Sequence, residues 1–128
     1  MVTDITNGVK VSVRTSYQPR YSYPENSSYY FSYTITIENL SVYTVQLLRR
    51  HWFIYDSNST IRQVEGEGVV GLQPILNPGD LYEYTSGCNL STEIGKMWGT
   101  YLVQRQADGE HFLVNIPAFT LIATHRLN

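Results

Sequence analysis

The spacing with the most chemical content in this chain is Gly66-x-Gly68-x-x-Gly71. In a dinucleotide-binding unit, glycines so placed let backbone amides approach a pyrophosphate at a helix N-terminus. A strand pattern precedes them here, but Pro74 and Pro78 follow closely and forbid a regular crossover helix. Two readings remain for Gly66, Gly68 and Gly71: a nest of backbone amides that holds a phosphate-type anion without any helix, or a structural bulge and turn. Near them in sequence stands the basic cluster Arg49, Arg50 and His51. Arg50 or His51 would neutralise an anion in the glycine segment if the two segments meet at one end of the fold. Successive strand side chains point to opposite faces, so the two arginines do not readily share a ligand. One of them is expected to pair with Glu65, Glu67 or Glu83.

The remaining reactive side chains assemble no catalytic set. Cys88 follows Gly87 with no base nearby in sequence to generate a thiolate, and is expected to be a small buried side chain. Glu65 and Glu67 alternate on one side of a strand pattern, which marks a solvated face; paired with Asp80 they offer no evident acid and base. His51, His111 and His125 are widely separated and lack the short ligand spacings of a zinc site. No catalytic residue, metal ligand or cofactor is therefore assigned, and an enzyme is the least expected class.

The elements that must position these groups read as strands. Eleven Tyr and nine Gly stand beside only three Ala, Ala107, Ala118 and Ala123, so strand and turn formers outnumber helix formers. Alternation starts with Val9, Val11 and Val13, and after a loop from Tyr17 to Ser28 it returns with Phe31, Tyr33, Ile35 and Ile37 inward. A third strand spans Val45 to Tyr55. Its pattern blurs, with Leu48, Arg50, Trp52 and Ile54 on one face and Val45, Leu47, Arg49, His51, Phe53 and Tyr55 on the other. Further strands are expected over Thr60 to Glu65, Leu81 to Thr85 (ended by Ser86-Gly87), Met97 to Gln106, His111 to Ile116, and Phe119 to Ala123 after a break or edge at Pro117. Seven or eight short antiparallel strands predict an all-β, two-sheet sandwich of immunoglobulin or fibronectin type III style, with a small barrel as alternative. Residues 1–128 read as one domain, with Trp52 in its core and no internal disulfide.

Charge and composition narrow the partners. A net charge of −2 and a pI near 5.8 speak against a nucleic-acid partner, which needs a basic face. No apolar stretch approaches the ~20 residues of a membrane span. With one cysteine and a start that lacks a signal-peptide pattern, a cytoplasmic location is expected. Low charge and abundant tyrosine suit a protein-interaction module, with Tyr17, Tyr21, Tyr23, Tyr29 and Tyr43 as candidate contacts; the competing role for these rings is to cap the ends of the core. Another protein is the expected partner, and open edge strands make a homodimer reasonable. The second function considered is phosphate, pyrophosphate or nucleotide binding at Gly66 to Gly71.

A run of short motifs in order carries a family resemblance. Phe31-x-Tyr33-x-Ile35-x-Ile37-Glu38-Asn39, Gln46-Leu47-Leu48-x-Arg50-His51-Trp52, Gly66-Glu67-Gly68-Val69-Val70-Gly71-x-Gln73-Pro74, Pro78-Gly79, Tyr84-x-Ser86-Gly87, Gly95-x-Met97-x-Gly99-x-Tyr101 and Ile116-Pro117-Ala118-Phe119-x-Leu121 together resemble the ApaG family over about Val9 to Leu121. The resemblance implies a fibronectin type III-like sandwich, a bacterial stand-alone protein of unsettled activity, and a loose association with cobalt and magnesium homeostasis. It also implies kinship with domains of eukaryotic F-box and DNA-polymerase-interacting proteins, which look like interaction modules. Leu72, where an acidic residue is commoner, and Ser57-Asn58-Ser59, which lacks the usual turn glycine, depart from the family pattern in loops.

Overall fold

A computed structural model describes residues 1–123. It opens with a strand that the alternation alone does not reveal, β1 (Val2–Thr6), paired with β2 (Val9–Tyr17). The signal for it is Asn7-Gly8, whose φ values of 48° and 81° make the two-residue turn that a right-handed hairpin twist favours. β1 is polar and largely exposed, so it lacks the apolar period that marks its neighbours.

β3 (Tyr29–Asn39) alternates as its sequence predicts, with every odd position from Tyr29 to Asn39 buried. The following strands are β4 (Val45–Asp56), β5 (Thr60–Glu67), the two-residue β6 (Ile75–Leu76), β7 (Leu81–Leu90), β8 (Ile94–Arg105) and β9 (His111–Ile122). They form two antiparallel sheets, β1-β2-β3-β7 and β5-β4-β8-β9, with β6 pairing onto the start of β4. Among the described residues there are nine strands: β1 and the short β6 are additional to those expected, and two expected strands merge into β9. Among the described residues the helical turns are Pro19–Tyr21 and Pro24–Asn26, in the loop between β2 and β3, and no helix is long and apolar enough to cross a membrane.

Three local events explain where the expected boundaries move. β7 runs through Ser86-Gly87 to Leu90, because Gly87 serves as a strand residue: a side chain there would collide with the Tyr30 hydroxyl, 1.8 Å from its Cβ. β9 is one strand where two were expected. Pro117 and Ala118 stand together opposite Trp98, between the pairs Gly99–Ile116 and Met97–Phe119, a bulge on an edge strand that tolerates the missing proline N–H.

The third event is a register shift between Leu47 and Arg49 of β4. Leu48 is the extra residue, so Val45 and Leu47 face the core before it and Trp52, Ile54 and Asp56 face the core after it. The blurred faces of the sequence pattern are thus two clean faces joined out of phase, and the expected grouping of Val45 and Leu47 with His51 and Phe53 is corrected. Trp52 lies in the core as predicted, 3% exposed, edge-on to Tyr33 and Phe119 at 5.4 and 5.9 Å. Aromatic contacts of this geometry add to the burial of about two dozen core side chains from both sheets.

The sheets close along one side only. β1 and β2 pack against β9, and the Thr6 hydroxyl accepts the Asn115 amide at 3.1 Å. On the other side β5 extends past the smaller sheet, and its inward positions Thr60, Arg62 and Val64 remain exposed.

Candidate functional site

The glycine segment folds as a strand end and a tight turn. Gly66 belongs to β5, where a Cβ would sit 2.8 Å from the Arg50 guanidinium nitrogens. Val69 and Leu72 exchange backbone hydrogen bonds at 2.7 and 3.0 Å around Val70 (φ 47°) and Gly71 (φ 78°), a hairpin turn of the primed type. At Gly68 (φ 59°) a Cβ would lie 1.9 Å from the Leu72 carbonyl oxygen, so this position demands glycine on two counts, whereas Gly71 demands it for φ alone. The amides of Gly68, Val69 and Leu72 donate to the carbonyls of Leu48, Leu72 and Val69. They are engaged inside the turn.

Strand alternation beyond the β4 bulge separates the basic cluster. Arg50 points inward and donates from Nη1 to the carbonyls of Glu67 and Gly68, at 2.9 and 3.2 Å. It meets the glycine segment at that segment's carbonyls, in direct hydrogen bonds rather than through a shared anion. His51 points to the outer face, where Nδ1 lies 3.0 Å from Glu65 Oε1, Nε2 lies 2.9 Å from Gln63 Oε1, and the ring stacks on Phe53. Glu65 is therefore taken by His51, and Glu83 lies 3.9 Å from Arg14. Neither Arg49 nor Arg50 has a carboxylate partner among the described ion pairs, which corrects the expected pairing. His111 begins β9, far along the register from His51, and His125 lies outside the described residues. Among the described residues no three His, Cys, Asp or Glu gather closely enough to hold a metal.

The five candidate tyrosines do not share a surface. Tyr29 is buried, because it has the same parity on β3 as Phe31 and Tyr33, and this corrects its assignment as an exposed contact. Tyr17 is partly buried against Phe31, with rings 5.2 Å apart. Tyr21 and Tyr23 are exposed in the loop before β3, while exposed Tyr43 follows β3, under the Arg105 guanidinium at 4.8 Å. The length of β3 places these two groups at opposite ends of the molecule, roughly 35 Å apart.

The aromatic surface that does form lies on the outer face of the larger sheet. After the bulge, His51, Phe53 and Tyr55 share that face, and the register sets Phe53 beside Trp98 of β8. The Phe53 and Trp98 rings stack at 5.6 Å and 8° from parallel, and the His51 and Phe53 rings at 4.5 Å and 27°. This shelf borders a cleft of about 660 Å³ that Tyr55 and Pro117 also line, with Asp4 and Lys96 as its charged members. The signal available in the sequence was the odd-numbered run from His51 to Tyr55. Reading it as an aromatic face required the bulge, since without one Val45 and Leu47 join it.

A family model described as "ApaG domain" matches residues 19–105. The chain belongs to the ApaG family. It is 46% identical over 125 residues to the ApaG protein of Dechloromonas aromatica, covering 96% of this chain and 98% of that one. It is also 46% identical over 121 residues to ApaG of Brucella abortus, covering 94% and 92%. Among solved structures, the putative ApaA protein from Bordetella pertussis superposes with a TM-score of 0.88 at 41% identity, over 96% of both chains. The ApaG match takes in Arg50, the glycine turn, Phe53 and Trp98, whereas Asp4 and Pro117 of the cleft lie outside the matched residues.

Inside the ApaG sandwich a second polar group sits between the sheets. The Tyr84 and Tyr101 hydroxyls are hydrogen-bonded, and Tyr33 stands opposite Ser86 in the β3–β7 register. Desolvation raises all three phenols above the ordinary tyrosine range. Cys88 is buried, and desolvation pushes its thiol up to about 11 against the lowering influence of Arg62, so it stays protonated at neutral pH.

Proposed function

We propose that this ApaG domain is a non-enzymatic protein-recognition module that receives an extended segment of a partner protein across the outer face of its larger sheet. The observation that carries this reading is the Phe53–Trp98 shelf, continued by His51 and Tyr55 and opening onto the adjoining cleft. Flat aromatic side chains contribute disproportionately to protein interfaces, because they bury a large area with few rotatable bonds. Aromatic-lined grooves take prolyl and aromatic side chains of extended peptides. Asp4 and Lys96 supply one charge of each sign beside the shelf, which favours one orientation of the bound chain.

Selection from a displayed random-peptide library on the purified protein tests the proposal. The expected peptides shift the amide resonances of Phe53, Lys96 and Trp98. They also lose about tenfold or more in affinity to Trp98→Ala, assayed under conditions where its unfolding curve shows that variant to be folded. A library that yields no binder, or binders indifferent to Trp98→Ala, would overturn the proposal. Self-association that Trp98→Ala abolishes would make the occupant a second copy of the chain and reject a foreign partner.

A further inference from the structure

The inner face of the same sheet carries a different chemistry. Where β5 extends past β7, a cleft of about 230 Å³ opens between the layers, and its walls include Tyr33, Arg50, Arg62, Ser86, Cys88 and Asn89. Two of its eleven lining residues are arginines and none is acidic. In a chain whose acidic residues outnumber its basic ones, 11 to 9, that local excess of positive charge is set by the fold.

Both arginines are positioned yet incompletely used. Arg50 is held by the carbonyls of Glu67 and Gly68, and the missing side chain at Gly66 makes room for its guanidinium. Its Nε and Nη2 have no acceptor among the described hydrogen bonds. Arg62 donates through Nη2 to the Asn89 carbonyl and lies 3.7 Å from Cys88 Sγ, strapping β5 to β7. Neither guanidinium has a carboxylate partner among the described ion pairs. Arg50 is half-buried and Arg62 is exposed, so the guanidinium donors left over at the cleft mouth are accessible to an anion entering from solvent. The fork of donors on each guanidinium matches the oxygens of a tetrahedral anion, and the Tyr33 and Ser86 hydroxyls line the same cleft.

We propose that this cleft binds a small phosphate-class oxyanion between Arg50 and Arg62, with the Ser86 and Tyr33 hydroxyls as additional partners. The cleft is smaller than the roughly 300 Å³ at which drug-sized pockets begin, which favours a compact phosphorylated metabolite or inorganic phosphate over a whole nucleotide. The site is separate from the glycine turn, whose Gly68, Val69 and Leu72 amides are already engaged.

Titration of the isotope-labelled protein with inorganic phosphate at low ionic strength, followed by amide and arginine-side-chain NMR, tests the site. The expected result is saturable shifts at Ser86, Gly87, Cys88 and the Arg62 Nε–H, displaced by sulfate and weakened by added salt. Arg62→Gln should weaken binding about tenfold or more, and Arg62→Lys, which keeps charge but loses the fork, by less. Arg50→Gln should also weaken it, but Arg50 braces β5. Arg62→Gln and Ser86→Ala, each checked for an unchanged unfolding midpoint, therefore carry the decision. The proposal is overturned by absence of saturation, by shifts confined to Val69–Leu72, by equal affinity in Arg62→Gln, or by acetate binding as tightly as phosphate.

Discussion

Where β2 meets β9 the sandwich closes on Val9, Val11, Val114 and Ile116, each at most 3% exposed; where β5 overhangs β7 it stays open, and the inward positions are Thr60, Arg62 and Val64, all exposed. Both edges are built from period-two strands. The difference is coverage: β9 packs against β1 and β2, whereas among the described residues β5 reaches the opposite sheet through the Arg62 side chain at Asn89 of β7. An inward position on β9 must therefore be apolar, while one on β5 can carry a guanidinium whose charge remains near water. The closed edge contributes stability, and the open edge supplies the room and the polarity that a ligand site needs.

Four experiments break or sharpen that contrast, in descending order of effect. Ile116→Ala, at the closed edge, should destabilise the fold by about 2–5 kcal/mol, measured by urea unfolding, because it empties a filled and covered position. A loss below about 1 kcal/mol would mean that the closed edge is looser than its burial indicates. Gly68→Ala comes next. The collision with the Leu72 carbonyl adds to the left-handed φ, so about 2 kcal/mol or more is expected, against about 1 kcal/mol for Gly71→Ala, where only φ objects. Equal midpoint shifts for the two variants would remove the distinction between them.

The third experiment uses pH. Tyr84 and Tyr101 have folded-state pKa values raised, chiefly by desolvation, above the unfolded phenol value of 10.0. Their contribution to stability is thus complete below pH 10 and is lost as pH rises above it, because the unfolded phenols release protons that the folded ones retain. Unfolding midpoints should fall above pH 10, and less steeply in Tyr84→Phe; superimposable slopes would remove Tyr84 from the cause. The smallest effect is expected from Val64→Ala at the open edge, within about 0.5 kcal/mol, and a loss matching that of Ile116→Ala would erase the contrast.

Much of the fold was legible in the sequence. The alternation from Phe31 to Ile37 marks β3 because a strand's side chains must alternate whatever surrounds them, and β3 is buried on one face along its length. The separation of Arg50 from its neighbours was legible too. Its face, shared with the core residue Trp52, was legible as well; the burial of Val45 and Leu47 on that same side was not, because Leu48 shifts the phase of β4 and nothing local to residues 45–56 announces a bulge, and β1 escaped for the converse reason, having a turn signal but no apolar period.

The candidate sites divide in the same way. Gly68 and Gly71 stand at left-handed φ, and glycine there is a local requirement that a sequence can display. Tyr29 was misplaced, although its parity with Phe31 was available, because tyrosine count alone does not distinguish a ring that caps the core from one that meets a partner. Trp98 beside Phe53, and Arg50 in one cleft with Arg62 and Ser86, are juxtapositions between distant segments. By itself the sequence determined the strands, the obligatory glycines and the family, since these follow from backbone sterics and residue order. Tertiary structure decided which faces are covered and which charges meet, since bulge phase and sheet overhang exist only once strands far apart in the chain have paired.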